Sequence, residues 1–328
     1  ATSPYIATGS VVVSSGVTLT IEPGVTVKFD SGKALQVDGT LIAKGTDSEK
    51  ITFTRNSGEI WGYILFNNSS TDASYDGSGN YTSGSILEYC VVKYAGGVSV
   101  SDNGAIRLNN AHPFINYCTI QNNEVSGIHA YNISGTLKIS NSTITDNYSS
   151  SYGGGVYVYH TSGGNTTISG NTIKGNTATS SYGGGIWSNS GTVTITNNAI
   201  SGNVSSYYGG GIYCSSGTVK ISNNIISGNT TSRSGGGLYC NGSPATITNN
   251  IISGNTTSIS GGGIYCTSQV TITNNTISSN SASNATAVYY DNSDAKQEWT
   301  LARGEREFPA VGYEFRHAGV IVEPDNLI

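Results

Sequence analysis

Residues 209–229 read Gly-Gly-Gly-Ile-Tyr-Cys-Ser-Ser-Gly-Thr-Val-Lys-Ile-Ser-Asn-Asn-Ile-Ile-Ser-Gly-Asn, and the reading of this phrase decides the fold. It holds three short apolar runs, Ile212-Tyr213-Cys214, Val219-Lys220-Ile221 and Ile225-Ile226, each bounded by Gly, Ser or Asn. Alternation over so few residues is the period of a strand, and the punctuation is too dense for a helix. Alternate side chains of a strand face opposite ways, so Ile212 and Cys214 point one way and Tyr213 the other.

The phrase recurs. Gly-Gly-Gly begins at 153, 183, 209, 235 and 261, in steps of 30, 26, 26 and 26. An apolar-aromatic pair follows each triplet: Val156-Tyr157, Ile186-Trp187, Ile212-Tyr213, Leu238-Tyr239 and Ile264-Tyr265. Asn pairs follow at 197, 223, 249 and 274, and closing asparagines at 203, 229, 255 and 280. A fixed period of this size is the mark of a solenoid. Parallel strands joined by right-handed crossovers three times per repeat build a coil with three β-faces. The expected fold is therefore all-β: a single right-handed parallel β-helix of about 11 coils, roughly 26 residues each, and roughly 50 Å long at one strand spacing per coil. The corner asparagines tolerate left-handed backbone angles and can bond to the Asn of the next coil.

Outward from this core the pattern loosens. Leu35/Val37, Leu41/Ala43 and Ile51/Phe53 alternate in the first coils, and Tyr89-Cys90 and Tyr117-Cys118 align 28 residues apart. The expected organisation is a cap over 1–14, a β-helix over 15–295 and a C-terminal tail over 296–328. Residues 67–85 read as a polar loop thrown out from the wall. The tail has neither a Gly triplet nor an Asn pair. It is expected to cap its own last coil or to add to a neighbouring subunit as a strand, through Trp299, Phe308, Tyr313, Phe315, Val320 and Val322.

Composition excludes several function classes. The net charge of −5, with 11% charged residues, offers no basic face for nucleic acid or anionic membrane. No apolar run approaches the length of a membrane span. The chain has no Met, which predicts a processed, secreted protein. The sequons at Asn68, Asn80, Asn132, Asn141, Asn147, Asn203, Asn229, Asn255 and Asn284 agree with an extracellular glycoprotein.

The unit Ile226-Ser-Gly-Asn229 followed by Gly236-Gly237-Leu238 resembles the repeats of chlamydial-type polymorphic outer-membrane proteins, with Gly and Ile where those carry Ala and Phe. The opening Val17-Thr-Leu-Thr-Ile-Glu-Pro-Gly-Val resembles the first coils of pectate-lyase-like β-helix surface proteins. Together the resemblances span most of residues 10–290. They imply the β-helix fold, and a superfamily that includes polysaccharide lyases, hydrolases, adhesins and filament components. Its enzymes use clustered wall carboxylates, with an added Arg or Lys base in lyases.

This chain does not offer that cluster. From Asn147 to Tyr290 there is no Asp or Glu, and Lys174, Lys220 and Arg233 are the only charges. Asp72, Asp76, Glu88, Asp102, Glu124 and Asp146 lie in the first half without a paired motif. Asp72 and Asp76 are a weak calcium possibility, and no other cofactor is expected. His112, His129 and His160 lack metal-ligand spacing and read as wall residues. Cys214, Cys240 and Cys266, 26 apart, stack one coil above another; coil spacing admits disulfides, but parallel side chains point alike rather than at each other, which favours buried hydrophobes.

One outward ladder is a candidate ligand or partner stripe: Tyr157, Trp187, Tyr213, Tyr239 and Tyr265. It can stack on sugar rings, bury against a neighbour, or stack on itself along the wall. A threonine ladder on another face, Thr194/Thr196 with Thr246/Thr248 and Thr271/Thr273, is interrupted by Lys220 and Ser222. The functional expectation is a non-enzymatic structural or adhesive surface protein, self-associating into a head-to-tail filament through its tail. The alternative is a polysaccharide-active or glycan-binding protein with its site in coils 60–146.

Overall fold

A computed structural model describes residues 3–100, 103–161, 163–242, 244–267, 270–290 and 321–322. It is a parallel β-solenoid of about 11 turns with no helix among the described residues. Three long walls run its length: wall A of 12 strands, wall B of 11 and wall C of 10. In the regular repeat, Ile225–Ser227 belongs to wall A, Ile212–Ser215 to wall B and Thr218–Ser222 to wall C. Pairing is in register from coil to coil: Ile186 with Ile212, Ile212 with Leu238, Leu238 with Ile264.

The core is one continuous stack. Ile195, Ile221 and Ile247 on wall C, and Ile200, Ile226 and Ile252 on wall A, are fully buried. Cys214, Cys240 and Cys266 continue the column on wall B as buried free thiols, and Cys90 and Cys118 are likewise buried and free. Stacked identical side chains place each methyl group against its copy in the next coil, where dispersion contacts are densest.

The asparagines do more than turn corners. The first Asn of each pair, Asn197, Asn223, Asn249 or Asn274, takes the left-handed turn at φ near 55–57°. The second points inward. Asn224 Nδ2 donates to Asn250 Oδ1 at 3.0 Å and to the Ile195 carbonyl at 2.9 Å. Asn198 donates both its backbone N–H and its Nδ2 to Asn224 Oδ1, at 2.9 and 3.0 Å. A second ladder runs through Asn147, Asn176, Asn203, Asn229, Asn255 and Asn280 on the same scheme. Each buried amide therefore ties three successive coils and satisfies corner backbone groups that no sheet could reach.

Three expectations change. Within the expected cap segment 1–14, Tyr5–Ala7 and Val11–Val13 are wall strands, paired with Thr26–Phe29 and Leu35–Val37. A fourth, short wall of five strands joins walls A and B in the regular half, formed by pairs such as Val204–Ser205 and Thr230–Thr231. The segment 67–85 is not thrown out into solvent. It carries an antiparallel hairpin, Ser74–Tyr75 with Tyr81–Ser83. Tyr75 meets Phe114 edge-on at 5.7 Å and Tyr81 stacks on it at 6.1 Å. Lys138 Nζ lies 3.7 Å from the Tyr75 ring and donates to the Gly79 carbonyl at 2.9 Å. The hairpin is a flap laid on the outer face of wall C.

The Gly triplets fit the tightest corner. Gly209 sits at φ +64°, and a Cβ on Gly210 would lie 2.6 Å from the Gly236 carbonyl oxygen of the next coil. Of the tail, Ile321–Val322 pairs in parallel with Thr276–Ile277 at the end of wall A. Trp299, Phe308, Tyr313, Phe315 and Val320 lie outside the described residues.

Candidate functional site on the outer face of wall B

Strand register puts Leu65, Arg107, His129 and Tyr157 in one outward column of wall B, and Trp187, Tyr213, Tyr239, Tyr265 and Tyr289 continue it. From His129 onward the rings stack face to face. The centroid separations are 4.0 Å from His129 to Tyr157, 4.5 Å to Trp187, 6.4 Å to Tyr213, 5.3 Å to Tyr239, 4.7 Å to Tyr265 and 5.0 Å to Tyr289. Strand spacing imposes ring spacing, so the stack is a direct consequence of the repeat.

Of the three readings of this stripe, the structure shows the rings stacked on one another along the wall. Tyr157, Trp187, Tyr213 and Tyr239 retain only 6–8% exposure. A second row of rings lies over them: Tyr152 is 5.1 Å from Trp187, Tyr182 is 4.9 Å from Tyr213, and Tyr208 is 4.6 Å from Tyr239. The roof residues stand immediately before three Gly triplets, at Tyr152-Gly153, Tyr182-Gly183 and Tyr208-Gly209. That recurrence was readable in the sequence, but which way the loop folds was not.

The roof does not extend to the earlier coils. There an open groove of about 380 Å³ is lined by Leu65, Asn67, Arg107, His129, Tyr131 and Asn132. The Arg107 guanidinium lies 4.5 Å from the Tyr63 ring, a cation–π contact that orients it along the wall. Its Nε is buried without a hydrogen-bond partner. Tyr131 stacks on Tyr159 at 5.3 Å and forms the next outward column. Burial, with a smaller contribution from the Arg107 charge, pushes His129 down to about 3, so it stays neutral at ordinary pH. A second cavity of about 430 Å³ is lined by Ile60, Gly97, Asn103, Glu124 and Ser150.

Asp72, Asp76, Glu88 and Asp146 are engaged elsewhere, and Glu124 lines the second cavity. Asp72 accepts from the His112 backbone N–H and from His112 Nδ1, both at 2.8 Å. Gly135 N–H donates to His112 Nε2 at 2.9 Å, which fixes the ring proton on Nδ1. Asp76 closes its own hairpin turn through Ser78 N–H, Asn80 N–H and Asn80 Nδ2, and the Asn80 bonds hold its carboxyl low. Glu88 accepts from Asn116 Nδ2 at 2.8 Å and faces Lys44 at 3.6 Å. Asp146 accepts from Thr145 Oγ1 at 2.9 Å. Asp102 lies outside the described residues. His160 is tied to Thr166 Oγ1 at 3.0 Å, with burial lowering its pKa. Among the described residues no three His, Cys, Asp or Glu side chains gather as a metal site.

The sequons divide by burial. Asn68, Asn80, Asn141 and Asn284 are exposed and Asn132 is half-buried at the groove. Asn147, Asn203, Asn229 and Asn255 are at most 1% exposed, with side-chain amides committed to the inner ladder. The folded coil closes these four to a glycan.

Walls of stacked parallel strands in register, coil after coil, define a β-solenoid. The chain belongs to the right-handed β-helix family, whose region model matches residues 5–200 and 155–300. It is similar to the Drosophila melanogaster protein bark beetle, 44% identical over 55 residues, and that match spans 17% of this chain and 2% of that protein. Among solved structures it is similar to DFA-IIIase from Arthrobacter chlorophenolicus A6, over 94% of this chain and 83% of that one, at 14% identity and a TM-score of 0.23. That likeness is too distant to bear on mechanism.

Proposed function

We propose that this protein is a non-catalytic, extracellular adhesive scaffold that binds an extended glycan along wall B, seated in the groove at Arg107. The unroofed groove carries this reading. It combines an oriented cation, the ring of Tyr131, and amide side chains from Asn67, Asn109 and Asn132. Sugar rings present apolar C–H faces and hydroxyl edges, which suit aromatic faces and amides respectively. Arg107 Nε, buried and without a partner, gains a hydrogen bond if a ligand oxygen reaches it. Acid–base chemistry would need two carboxyl groups flanking one bond. Asp72 and Glu88 are instead committed to bonds within the fold, with His112 and with Asn116.

The test is titration of the full chain with neutral and acidic oligosaccharides, following both affinity and chain length. The expected result is saturable binding with no shortening of the oligosaccharide. Arg107→Ala should weaken binding about tenfold or more, the effect of losing a charged hydrogen-bond donor. Binding untouched by Arg107→Ala removes the groove from the reading. Shortened products that disappear in Glu124→Gln would instead make the protein an enzyme working in the second cavity.

A further inference from the structure

Four of the sequons coincide with the inner asparagine ladder, where the amide has a structural task. Asn229 spends both hydrogens of Nδ2, one on Asn255 Oδ1 and one on the Ile200 carbonyl, each at 2.9 Å. Asn203 donates in the same way to Asn229 Oδ1 and the Ile173 carbonyl. Asn255 donates to Asn280 Oδ1 and the Ile226 carbonyl, and Asn147 to Asn176 Oδ1 and the Ile120 carbonyl. No Nδ2 hydrogen is left over, and none of the four residues is more than 1% exposed.

The hydroxyl that completes each of these sequons has a structural cause as well. Ser149, Ser205, Thr231 and Thr257 stand two residues further on, in one buried column of the fourth wall. Ser205 Oγ donates to Thr231 Oγ1 at 3.0 Å, and Thr231 Oγ1 donates to the Tyr207 carbonyl at 2.8 Å. Ala178 occupies the same column between Ser149 and Ser205, and there Asn176 keeps its place in the ladder without a sequon. The four sequons thus arise where an amide column and a hydroxyl column run two residues apart. In the unfolded chain they nevertheless carry the same acceptor pattern as Asn80-Tyr81-Thr82 or Asn284-Ala285-Thr286.

We propose that N-glycosylation and folding exclude one another at Asn147, Asn203, Asn229 and Asn255, so that a chain modified at any of them cannot close its coil. The co-substrate is a lipid-diphosphate-linked oligosaccharide. Its transfer breaks one Nδ2–H bond and forms an N–C1 bond to the first sugar. The lipid diphosphate leaves with the electron pair of its bond to C1, and the proton goes to a base of the transferase. The modified amide keeps one N–H where the ladder uses two, so a buried acceptor loses its donor. The attached sugar would also have to lie inside the coil, where its hydroxyls find no water. One such glycan is enough, because each coil is held only by its neighbours. Asn68, Asn80, Asn141 and Asn284 are exposed and free of this conflict, so glycans on the folded protein belong on the outer sequons. The protein therefore requires a route on which its unfolded chain meets no such transferase.

The full chain is expressed through a eukaryotic secretory pathway, where the transferase meets it unfolded, and in a bacterial cytoplasm as reference. Site occupancy is read by mass spectrometry, separately in the folded, protease-resistant fraction and in the unfolded, retained one. The folded fraction should be bare at all four inner sites, and the retained fraction should carry a glycan on at least one of them. The variant Ser149→Ala, Ser205→Ala, Thr231→Ala, Thr257→Ala removes the four sequons and keeps the ladder, as Ala178 does. Its folded share on the secretory route should exceed that of the wild type about fivefold or more, the effect of sparing one buried hydrogen bond. The bacterial reference shows whether this variant folds; if it does not, occupancy of the two wild-type fractions decides alone. A glycan on Asn203 or Asn229 in folded protein would overturn the proposal. Retained chains bare at all four sites would overturn it too, and so would wild-type protein that folds completely and stays bare, since no competition would then exist.

Discussion

Neighbouring asparagines in this wall do opposite jobs. Asn223 spends its backbone on a left-handed turn, while Asn224 spends its side chain inside the coil. Asn223→Gly should be close to neutral, since Gly adopts that φ freely. Asn224→Ala should cost about 2–5 kcal/mol, because it strands the Asn198 donors and the Ile195 carbonyl in the interior. Denaturant midpoints of the two variants measure the difference. His129 makes a pH prediction. Its pKa lies at about 3 in the fold, so the unfolded chain takes up a proton first as pH falls. Its contribution is complete above the unfolded value near 6.5 and is lost progressively toward pH 3. Between pH 7 and pH 5 the loss should be about 2 kcal/mol, and His129→Gln should remove that part of the slope. Unfolding curves at the two pH values check it. The sequence placed His129 on a wall, but nothing in it says that Tyr157 covers the ring at 4.0 Å.

At the scale of elements, the three long walls were legible because their strands alternate and repeat. The fourth was not, since pairs such as Thr230–Thr231 and Val204–Ser205 are too short to show a period. The hairpin over wall C escaped for a different reason. Its anchor is Phe114, some thirty to forty residues further along the chain, and a tertiary contact leaves no local pattern. Phe114→Ala should free the flap without unfolding the solenoid. Limited proteolysis should then cut at 76–80, where the wild-type protein resists, with the global midpoint lowered by no more than about 2–3 kcal/mol for a half-buried ring. The roof has the same character. Tyr152, Tyr182 and Tyr208 sit in the loops ahead of the Gly triplets, and only the folded loop brings them over Trp187, Tyr213 and Tyr239.

The whole molecule behaves as a one-dimensional stack, in which each coil is held only by its neighbours. Opening should therefore start at the ends. Hydrogen exchange should show amides in 156–266 protected roughly a hundredfold or more beyond those of the first coil, residues 5–21. Uniform protection along the chain would contradict the stack.

The sequence by itself determined the solenoid, its period and its inward columns, because every coil repeats the same local instruction and neighbouring coils read it in register. It also determined that residues 147–290 carry no carboxylate for catalysis. Only the tertiary structure decided which outward surface is available. Tyr157, Trp187, Tyr213 and Tyr239 of the aromatic ladder are closed by its own roof, and the groove falls instead among the irregular coils at Arg107, His129 and Tyr131. The same holds for the sequons, which share one pattern yet are open at Asn80 and sealed at Asn229. A repeat fixes the direction in which a side chain leaves the wall, whereas its exposure depends on loops whose contacts are distant in sequence.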